Sequence, residues 1–292
     1  ANVMMPLGIG YIAAVLLKNN FKNVKIIDCR ALNISEKDLI EILKKENFDI
    51  ICFTTTILDI NRVNKLTKKL KEFFPKVLFV IGGPQMTSNP IQTMERGVFD
   101  LGVYNEAEFS FLDIVKEFTR DKPDYSKIKG IYYRTKDNEI KFTGMRLPLE
   151  NLDELPFPAR HLYPPLKFYR PVPASYKRLP SASIVTSRGC PYRCIYCDHG
   201  AMGYKFRAMS PKRVVDEIDE IVKDYGAKDI RFFDDVFTLD KKRVSGICDE
   251  ILKRKIDITW SCMTRVDRVD RELLLKMAKA GCWQIQYGLE SG

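Results

Sequence analysis

The 292-residue sequence contains only two histidines and two tryptophans, and it has no long apolar run. Its longest apolar stretches, such as residues 12–17 and 77–81, are far shorter than the roughly 18 residues that a membrane span needs. No segment combines the charged, apolar and cleavage regions of a signal peptide. These absences predict a cytoplasmic protein without a membrane span.

The scarcity of histidine contrasts with eight cysteines, which are unevenly placed. Three cysteines lie within eight residues, and the other five are scattered through apolar segments, as small core residues are. This is not the pattern of a secreted disulfide framework. It predicts one thiolate cluster in a reducing compartment.

The net charge of +10 comes from 48 basic and 38 acidic side chains. A basic surface attracts nucleic acid, anionic lipid or phosphorylated substrates. The lysine-rich runs, however, fall at polar positions of helical patterns, which predicts solvated helix faces. There is no fixed-period repeat and no interleaving of aromatic and basic residues typical of RNA-binding motifs. We therefore do not expect a nucleic-acid partner.

Strand and helix patterns alternate through the first 120 residues. The strands are predicted at residues 24–27, 49–53, 77–81 and 100–103. Helices of ordinary length between such strands imply right-handed crossovers and a parallel, doubly wound sheet. A hairpin at Asp137-Asn138 follows. We therefore predict one domain over residues 1–145, whose first strand would precede residue 1.

Eight of the 15 prolines lie between Pro148 and Pro180, which predicts a linker or wrapping segment over residues 146–180. Alternation then resumes. Strands are predicted at residues 183–186, 229–233, 258–262 and 283–287. Ser210, Asp240 and Asp270 stand where helix N-caps belong. Four strands and three intervening helices predict the first half of a (β/α) barrel over residues 181–292, cut off before closure.

The first of these strands leads into the three clustered cysteines, Cys190, Cys194 and Cys197. Spaced C-x3-C-x2-C on one loop, three thiolates can each bond one iron of a [4Fe–4S] cluster and leave the fourth iron open to a chelating molecule. Gly189 would let the backbone approach the cluster. The alternative is zinc, which usually takes four ligands. His199, two residues after Cys197, is poorly placed to complete such a site.

The pattern C-x3-C-x-aromatic-C, with Tyr196 as the aromatic residue, resembles the signature of radical S-adenosylmethionine (SAM) enzymes. The resemblance implies that SAM chelates the open iron and that one electron from the cluster cleaves it. The resulting 5′-deoxyadenosyl radical then takes a hydrogen atom from a small-molecule substrate. A one-electron donor such as flavodoxin or ferredoxin is implied as a partner.

The same resemblance places SAM contacts at the carboxyl ends of the barrel strands. The implied residues are Tyr196, Asp234, Asp235, Arg265, Glu290 and Ser291. Alternatives remain open for three positions: a solvated acidic turn for Asp234 and Asp235, and a surface salt bridge for Arg265.

Small and hydroxyl residues at the strand ends of the first domain would form a flat shelf for a large ring. Their order resembles the cobalamin-binding domain that precedes many radical SAM barrels, and so does the linker motif at residues 155–158. The implied cobalamin contacts are Pro6, Leu7, Gly8, Thr54, Thr55, Gly82, Gly83, Pro84 and Glu106. No D-x-H-x-x-G motif is present, and Gln85 stands where relatives often carry a histidine. The alternative is a vestigial or docking module.

Together the two resemblances imply a SAM- and cobalamin-dependent enzyme that methylates an unactivated carbon. Cyclisation without methyl transfer, as in the anaerobic magnesium-protoporphyrin ester cyclase, is the first alternative, and a non-catalytic zinc- or nucleic-acid-binding protein is the second. A methylthiotransferase would need three further cysteines in the first domain, where only Cys29 and Cys52 occur. Because half a barrel would leave SAM exposed, we expect this chain alone to be inactive.

Overall fold

Two main β-sheets, one from each half of the chain, form the frame of the protein; the computed structural model describes residues 3–198 and 202–289. The first sheet has the strand order β1-β2-β3-β4-β5. Its strands are β1 (Ile50–Thr54), β2 (Leu78–Gly82), β3 (Leu101–Val103), β4 (Ile131–Arg134) and β5 (Ile140–Phe142). The helices of this half are α1 (Leu7–Lys18), α2 (Glu36–Lys44), α3 (Ile60–Phe73), α4 (Pro84–Ser88), α5 (Pro90–Arg96) and α6 (Glu108–Phe118).

Both faces of the first sheet are covered by helices, as the alternation predicted. Side chains of successive strand residues point to opposite faces. In β2, Phe79 and Ile81 join a cluster with residues of α2, α3 and α5. Val80, between them, joins a different cluster that includes residues of α1 and α6. The doubly wound prediction is confirmed, and β1, β2 and β3 are parallel.

The hairpin prediction is also confirmed, and the hairpin extends this same sheet. Strands β4 and β5 are antiparallel, and β4 pairs antiparallel with β3. The turn is closed by the amide of Thr135, which donates to Glu139 O (2.9 Å), and Asn138 adopts a left-handed φ of 62°. The sheet is therefore mixed rather than purely parallel.

The strand predicted at residues 24–27 is wrong: this segment forms no strand. Val24 and Ile26 are half-buried and pack against the core. The apolar alternation reported side-chain burial, whereas a strand also needs a neighbouring backbone that pairs with it.

Residues 146–180 wrap around the core rather than hang as a loose linker. They contain four short 3₁₀ turns, at Leu152–Glu154, Arg160–Leu162, Leu166–Phe168 and Pro173–Ser175. Leu152, Tyr163 and Tyr169 are buried in the cluster that also holds residues of both sheets. Arg160 donates to Glu217 (2.7 Å), and both side chains are almost wholly buried.

The second sheet is parallel, with the order β11-β10-β9-β6. Its strands are β6 (Ser181–Ile184), β9 (Asp229–Phe232), β10 (Thr259–Thr264) and β11 (Cys282–Tyr287). They alternate with α7 (Pro211–Tyr225), α8 (Lys241–Arg254) and α9 (Arg271–Lys279). Ser210, Asp240 and Asp270 cap these helices through their side chains, as predicted. Sequential parallel strands with a helix between each pair match the predicted half barrel.

A two-stranded ribbon that the sequence did not predict brackets the cysteines. Strands β7 (Ser187–Arg188) and β8 (Arg207–Ala208) pair antiparallel, with Arg188 opposite Arg207. Two-residue strands are too short to show any periodicity, so pattern reasoning misses them.

None of the helices in the described ranges is both long and apolar enough to cross a membrane.

Candidate functional site

The carboxyl edge of the first sheet is lined by small residues at the ends of β1 and β2. Thr54 is exposed, and Gly83 has a φ of +90°. A Cβ at Gly83 would lie 2.5 Å from Thr54 Oγ1 and 3.0 Å from the amide nitrogen of Thr55. Glycine is therefore required at residue 83 by its backbone angle and by the close approach of the neighbouring strand.

Thr55 provides a polar atom at this edge. Its amide donates to Gly82 O (3.2 Å), and its carbonyl accepts from the amide of Gln85 (3.1 Å). Its Oγ1 is buried and has no hydrogen-bond partner among the described residues. A glycine at the strand end, beside a buried hydroxyl that has no partner in the described part of the chain, is compatible with a large ring ligand such as cobalamin.

The other residues predicted to contact cobalamin have mixed surroundings. Leu7 is buried in the core, and the half-buried Pro6 accepts at its carbonyl from the Tyr163 hydroxyl (2.6 Å). Gly8 is exposed in the first turn of α1, and a Cβ there would meet no atom within 4 Å. Pro84 is exposed at the start of α4. Leu7 therefore offers no side-chain surface to a ligand, whereas Gly8 and Pro84 are accessible.

The side chain of Gln85, at the position where relatives often carry a histidine, points into the protein. The side chain is buried, and its Nε2 donates to Thr93 Oγ1 (3.3 Å). This arrangement keeps the Gln85 side chain away from the sheet edge, although its backbone amide bonds Thr55 there.

Glu106 is committed to two arginines that flank the cysteine loop. Its Oε2 accepts from Arg188 Nη1 (2.9 Å) and Arg207 Nη1 (3.1 Å), and its Oε1 accepts from Arg207 Nη2. Burial favours the neutral acid, but Arg207 and Arg188 outweigh it and hold the pKa of Glu106 below its usual range. Arg188 also donates to Glu108 Oε1 (2.5 Å). The structure thus gives Glu106 a bridging role.

The cysteine loop, residues 189–206, is closed at its base by the β7–β8 ribbon. Gly189 has a φ of +82°, and a Cβ there would overlap the carbonyl oxygen of Lys205. The amide of Cys190 donates to Gly203 O (3.1 Å). Glycine at residue 189 therefore allows its backbone to approach the backbone of Lys205, on the opposite side of the same loop.

The three cysteines of the loop are free thiols, with Cys190 and Cys194 half-buried and Cys197 exposed. The amide of Cys197 donates to Cys194 O (3.1 Å), which closes a turn around Tyr196. Partial desolvation and the neighbouring Cys190 and Cys194 raise the pKa of Cys197. The donor set, three thiolates on one loop, is the set that holds an iron–sulfur cluster.

The structure does not bring the three sulfurs to a common point. Within residues 3–198 and 202–289, no three His, Cys, Asp or Glu side chains are positioned to hold a metal ion. Thiolates gathered together repel one another, and binding to a metal offsets that cost. The ligand assignment of Cys190, Cys194 and Cys197 therefore stays a prediction.

A tyrosine inside the loop ties it to the end of β10. The guanidinium of Arg265 lies 4.0 Å from the centre of the Tyr192 ring, and Arg268 Nε donates to the Tyr192 hydroxyl. Arg265 also forms a bidentate pair with Asp267, at 3.0 and 3.2 Å. Arg265 is therefore in a surface salt bridge and also lies against the cysteine loop, and its contact with SAM stays a prediction. No pattern in the sequence pointed to Tyr192 or Arg268, because their contact joins segments 76 residues apart.

The two adjacent aspartates after β9 have opposite surroundings. Asp234 is fully buried and accepts from Thr186 N (2.7 Å), Thr186 Oγ1 (2.6 Å) and Ser187 Oγ (2.6 Å). Asp235 is exposed and contributes to the raised pKa of Cys197. Asp234 therefore fastens the strand that leads into the loop, and only Asp235 is accessible beside it.

Of the remaining predicted SAM contacts, Tyr196 is 63% exposed. Glu290 and Ser291 lie outside the described residues, and so does His199.

Two contacts bring the first sheet's carboxyl edge against the cysteine loop. One is the Glu106 bridge to Arg188 and Arg207. The other is at the end of α4, where Ser88 Oγ donates to Asp198 Oδ2 (2.9 Å). The structure therefore juxtaposes the predicted shelf and the predicted cluster loop.

Two family models match the chain. The model of the B12 binding domain matches residues 1–115, and that of the radical SAM superfamily matches residues 184–292. The boundaries predicted at residues 145 and 180 are not tested by these matches and stay a prediction.

Among curated proteins, an uncharacterized methyltransferase of Pyrococcus horikoshii is 32% identical over 98% of this chain and 61% of its own length. The anaerobic magnesium-protoporphyrin IX monomethyl ester cyclase of Rubrivivax gelatinosus is 27% identical over 98% of the chain and 52% of its length. The cytidylyl-2-hydroxyethylphosphonate methyltransferase of Streptomyces wedmorensis is 26% identical, covering 98% and 61%. The chain thus spans about half to three-fifths of these relatives. They lend no support to the expectation that this chain alone is inactive.

Two solved structures share the fold. The cobalamin-dependent SAM radical enzyme OxsB, with aqua-cobalamin and SAM bound, has a TM-score of 0.84 at 21% identity, covering 99% of this chain and 42% of its own. The radical SAM methyltransferase TsrM of Kitasatospora setae, with tryptophan and a SAM analogue bound, has a TM-score of 0.81 at 18% identity, covering 99% and 58%.

Proposed function

Because the chain belongs to the cobalamin-binding radical SAM family, with a B12-binding domain followed by a radical SAM domain, we propose that it methylates an unactivated carbon of a small molecule. Its cofactors are a [4Fe–4S] cluster, SAM and cobalamin.

The juxtaposition of the two carboxyl edges is the observation that carries this proposal. A carbon radical formed beside the cluster must meet the methyl donor before it reacts with anything else, so the two cofactors have to face one substrate pocket. The Ser88–Asp198 contact of 2.9 Å and the Glu106 bridge hold the two edges together.

The loop cysteines, Cys190, Cys194 and Cys197, would hold the cluster. When bound, the cluster supplies the electron that cleaves SAM, and cobalamin supplies the methyl group. Asp234 and the β7–β8 ribbon hold the two ends of the loop in place through hydrogen bonds.

The accessible polar groups near the loop would bind SAM. Asp235 would accept from its ammonium group, Arg265 would face its carboxylate, and Tyr196 would line the site. Glu290 and Ser291 remain candidates for the ribose. In the first domain, Gly8, Thr54, Gly82 and Gly83 would form the surface under the corrin ring, with Thr55 Oγ1 free to bond it.

Cyclisation without methyl transfer is the second candidate, because a cyclase relative matches 98% of the chain. The methyltransferase relative is more similar, at 32% against 27% identity. An electron carrier of the flavodoxin or ferredoxin type would reduce the cluster in either case.

The test is anaerobic reconstitution with iron, sulfide, cobalamin and SAM, comparing the unaltered protein with Cys194→Ala. The unaltered protein should bind about four iron atoms and form 5′-deoxyadenosine. Cys194→Ala should lose most of the cluster and all 5′-deoxyadenosine, measured by iron analysis and mass spectrometry.

The matched control is Cys29→Ala, since Cys29 is also half-buried but lies outside the loop. It should keep both properties. Undiminished 5′-deoxyadenosine from Cys194→Ala would contradict the assignment, and stoichiometric zinc in anaerobically purified protein would favour a structural site.

A further inference from the structure

Four charged side chains form a buried cluster at the boundary between the two sheets, here named the junction cluster: Glu106, Glu108, Arg188 and Arg207. The exposed fractions of Glu108, Arg188 and Arg207 are 6%, 6% and 5%. Glu106 bonds both arginines, and Arg188 bonds both glutamates. Removing one member would leave a buried charge without its partner, which is strongly unfavourable.

The arginines of the junction cluster belong to the base of the cysteine loop. Arg188 is two residues before Cys190, and Arg207 stands opposite it across the ribbon. Arg207 also donates to Leu149 O (2.7 Å). Their positions therefore set where the loop begins and ends.

The glutamates belong to the first domain, directly beside the shelf. Glu106 follows Asn105, which has a left-handed φ of 60°. The backbone amide of Asn105 donates to Thr87 Oγ1 (3.1 Å) in the helix that begins at Pro84. Asn105 Oδ1 is buried without a hydrogen-bond partner among the described residues. A ligand that seats on the shelf would contact the same short segment that carries Glu106.

We propose that Glu106 is a positioning residue through which cobalamin bound at the shelf orders the cysteine loop. This inference rests on the proposed function, because it takes the shelf as the cobalamin site. Two sites that share a charged bridge have coupled binding free energies, and the coupling acts in both directions. The bridge acts on Arg188 and Arg207, the paired ribbon residues from which the loop leaves the fold, so a change at Glu106 reaches the base of the loop.

The experiment measures amide hydrogen exchange of the unaltered chain with and without hydroxocobalamin, in the absence of iron and SAM. Exchange in residues 187–208 should slow by about fivefold or more when hydroxocobalamin binds, the low end of ordinary coupling between sites. Glu106→Gln should bind hydroxocobalamin more weakly, because the coupling is reciprocal, and at saturating hydroxocobalamin exchange in this loop should no longer respond to it.

A buried ion pair elsewhere provides the matched control. Glu217 accepts from Arg160 (2.7 Å) and Arg213 (3.0 Å) and is fully buried, and both of these partners lie outside the cysteine loop. Glu217→Gln should weaken the fold comparably and leave the loop's response to hydroxocobalamin intact. If Glu106→Gln fails to fold, Glu108→Gln replaces it. That variant keeps the Glu106 bridge but loosens Arg188, so it should reduce the response without abolishing it.

The outcomes separate this inference from the proposed function. Absence of hydroxocobalamin binding to the unaltered chain would overturn both. Binding without slower loop exchange, an undiminished response in Glu106→Gln or in its replacement Glu108→Gln, or an equal loss in Glu217→Gln would overturn the positioning role alone. In those three cases the methyltransferase proposal would stand.

Discussion

The two sheets end at the same boundary, but their carboxyl edges are built in opposite ways. The edge of the first sheet carries small residues, at Gly82, Gly83, Thr54 and Thr55. The hydroxyl of Thr55 has no hydrogen-bond partner within the described ranges. The edge of the second sheet carries charged and hydroxyl side chains that are already bonded to one another, with Asp234 at their centre.

This difference indicates what each edge must hold. A large, rigid ligand needs unobstructed space at the strand ends, and small residues at the first edge leave that space. At the second edge, polar groups are used to fasten the cysteine loop, since Asp234 bonds the residues that lead into it. Of the acidic pair, only Asp235 stays accessible.

The largest expected effect is at the fastened edge. Asp234→Ala should lower the free energy of unfolding by about 3 kcal/mol or more, because Thr186 and Ser187 lose their buried acceptor and Arg243 loses a nearby negative charge. Chemical denaturation with a two-state fit measures this. A loss below about 0.5 kcal/mol, the size of an ordinary surface change, would mean that the loop does not depend on this carboxylate.

A smaller effect is expected at the open edge. Gly83→Ala should destabilise the fold by about 1–3 kcal/mol, because of the left-handed φ of +90° and the contact with Thr54 Oγ1. It should also weaken cobalamin binding, as measured by titration of absorbance.

Gly8→Ala is the control for clearance alone. A Cβ at residue 8 meets nothing within 4 Å and sits in a helix, so stability should be unchanged or rise by up to about 1 kcal/mol. Weaker cobalamin binding with no loss of stability would place Gly8 at the ligand surface. Unchanged binding in both glycine variants would remove the shelf hypothesis.

The smallest effect on stability is expected at Asp235. Because this side chain is exposed, Asp235→Asn should change the free energy of unfolding by no more than about 0.5 kcal/mol. The proposed contact with the SAM ammonium predicts a raised KM for SAM in a 5′-deoxyadenosine assay. An unaltered KM together with a large loss of stability would reverse the contrast drawn between the two aspartates.

Local signals were enough to predict most of the fold. Ser210, Asp240 and Asp270 cap the helices that follow them, and the continuous apolar run of β2 faces two helical layers. The failures share one cause. The segment at residues 24–27 lacks a pairing strand, and the β7–β8 ribbon exists only because distant segments meet.

The candidate site shows the same division. The spacing of the three cysteines is a local property and predicted their place on one loop, whereas the positions of their sulfurs depend on how that loop folds, and among the described residues they do not form a metal site. Glu106 and Asp234 were both predicted to face a cofactor, and the structure places both carboxylates in buried networks.

The sequence by itself determined the alternation of strands and helices, the two-part organisation and the thiol-bearing loop, because each depends on residues within a few positions of one another. Only the tertiary structure decided which charged side chains bind other parts of the protein and which stay accessible. The partners of Glu106 and Asp234 come from segments about 50 to 100 residues away along the chain, and burial makes such pairing obligatory because an unpaired charge cannot be left without water.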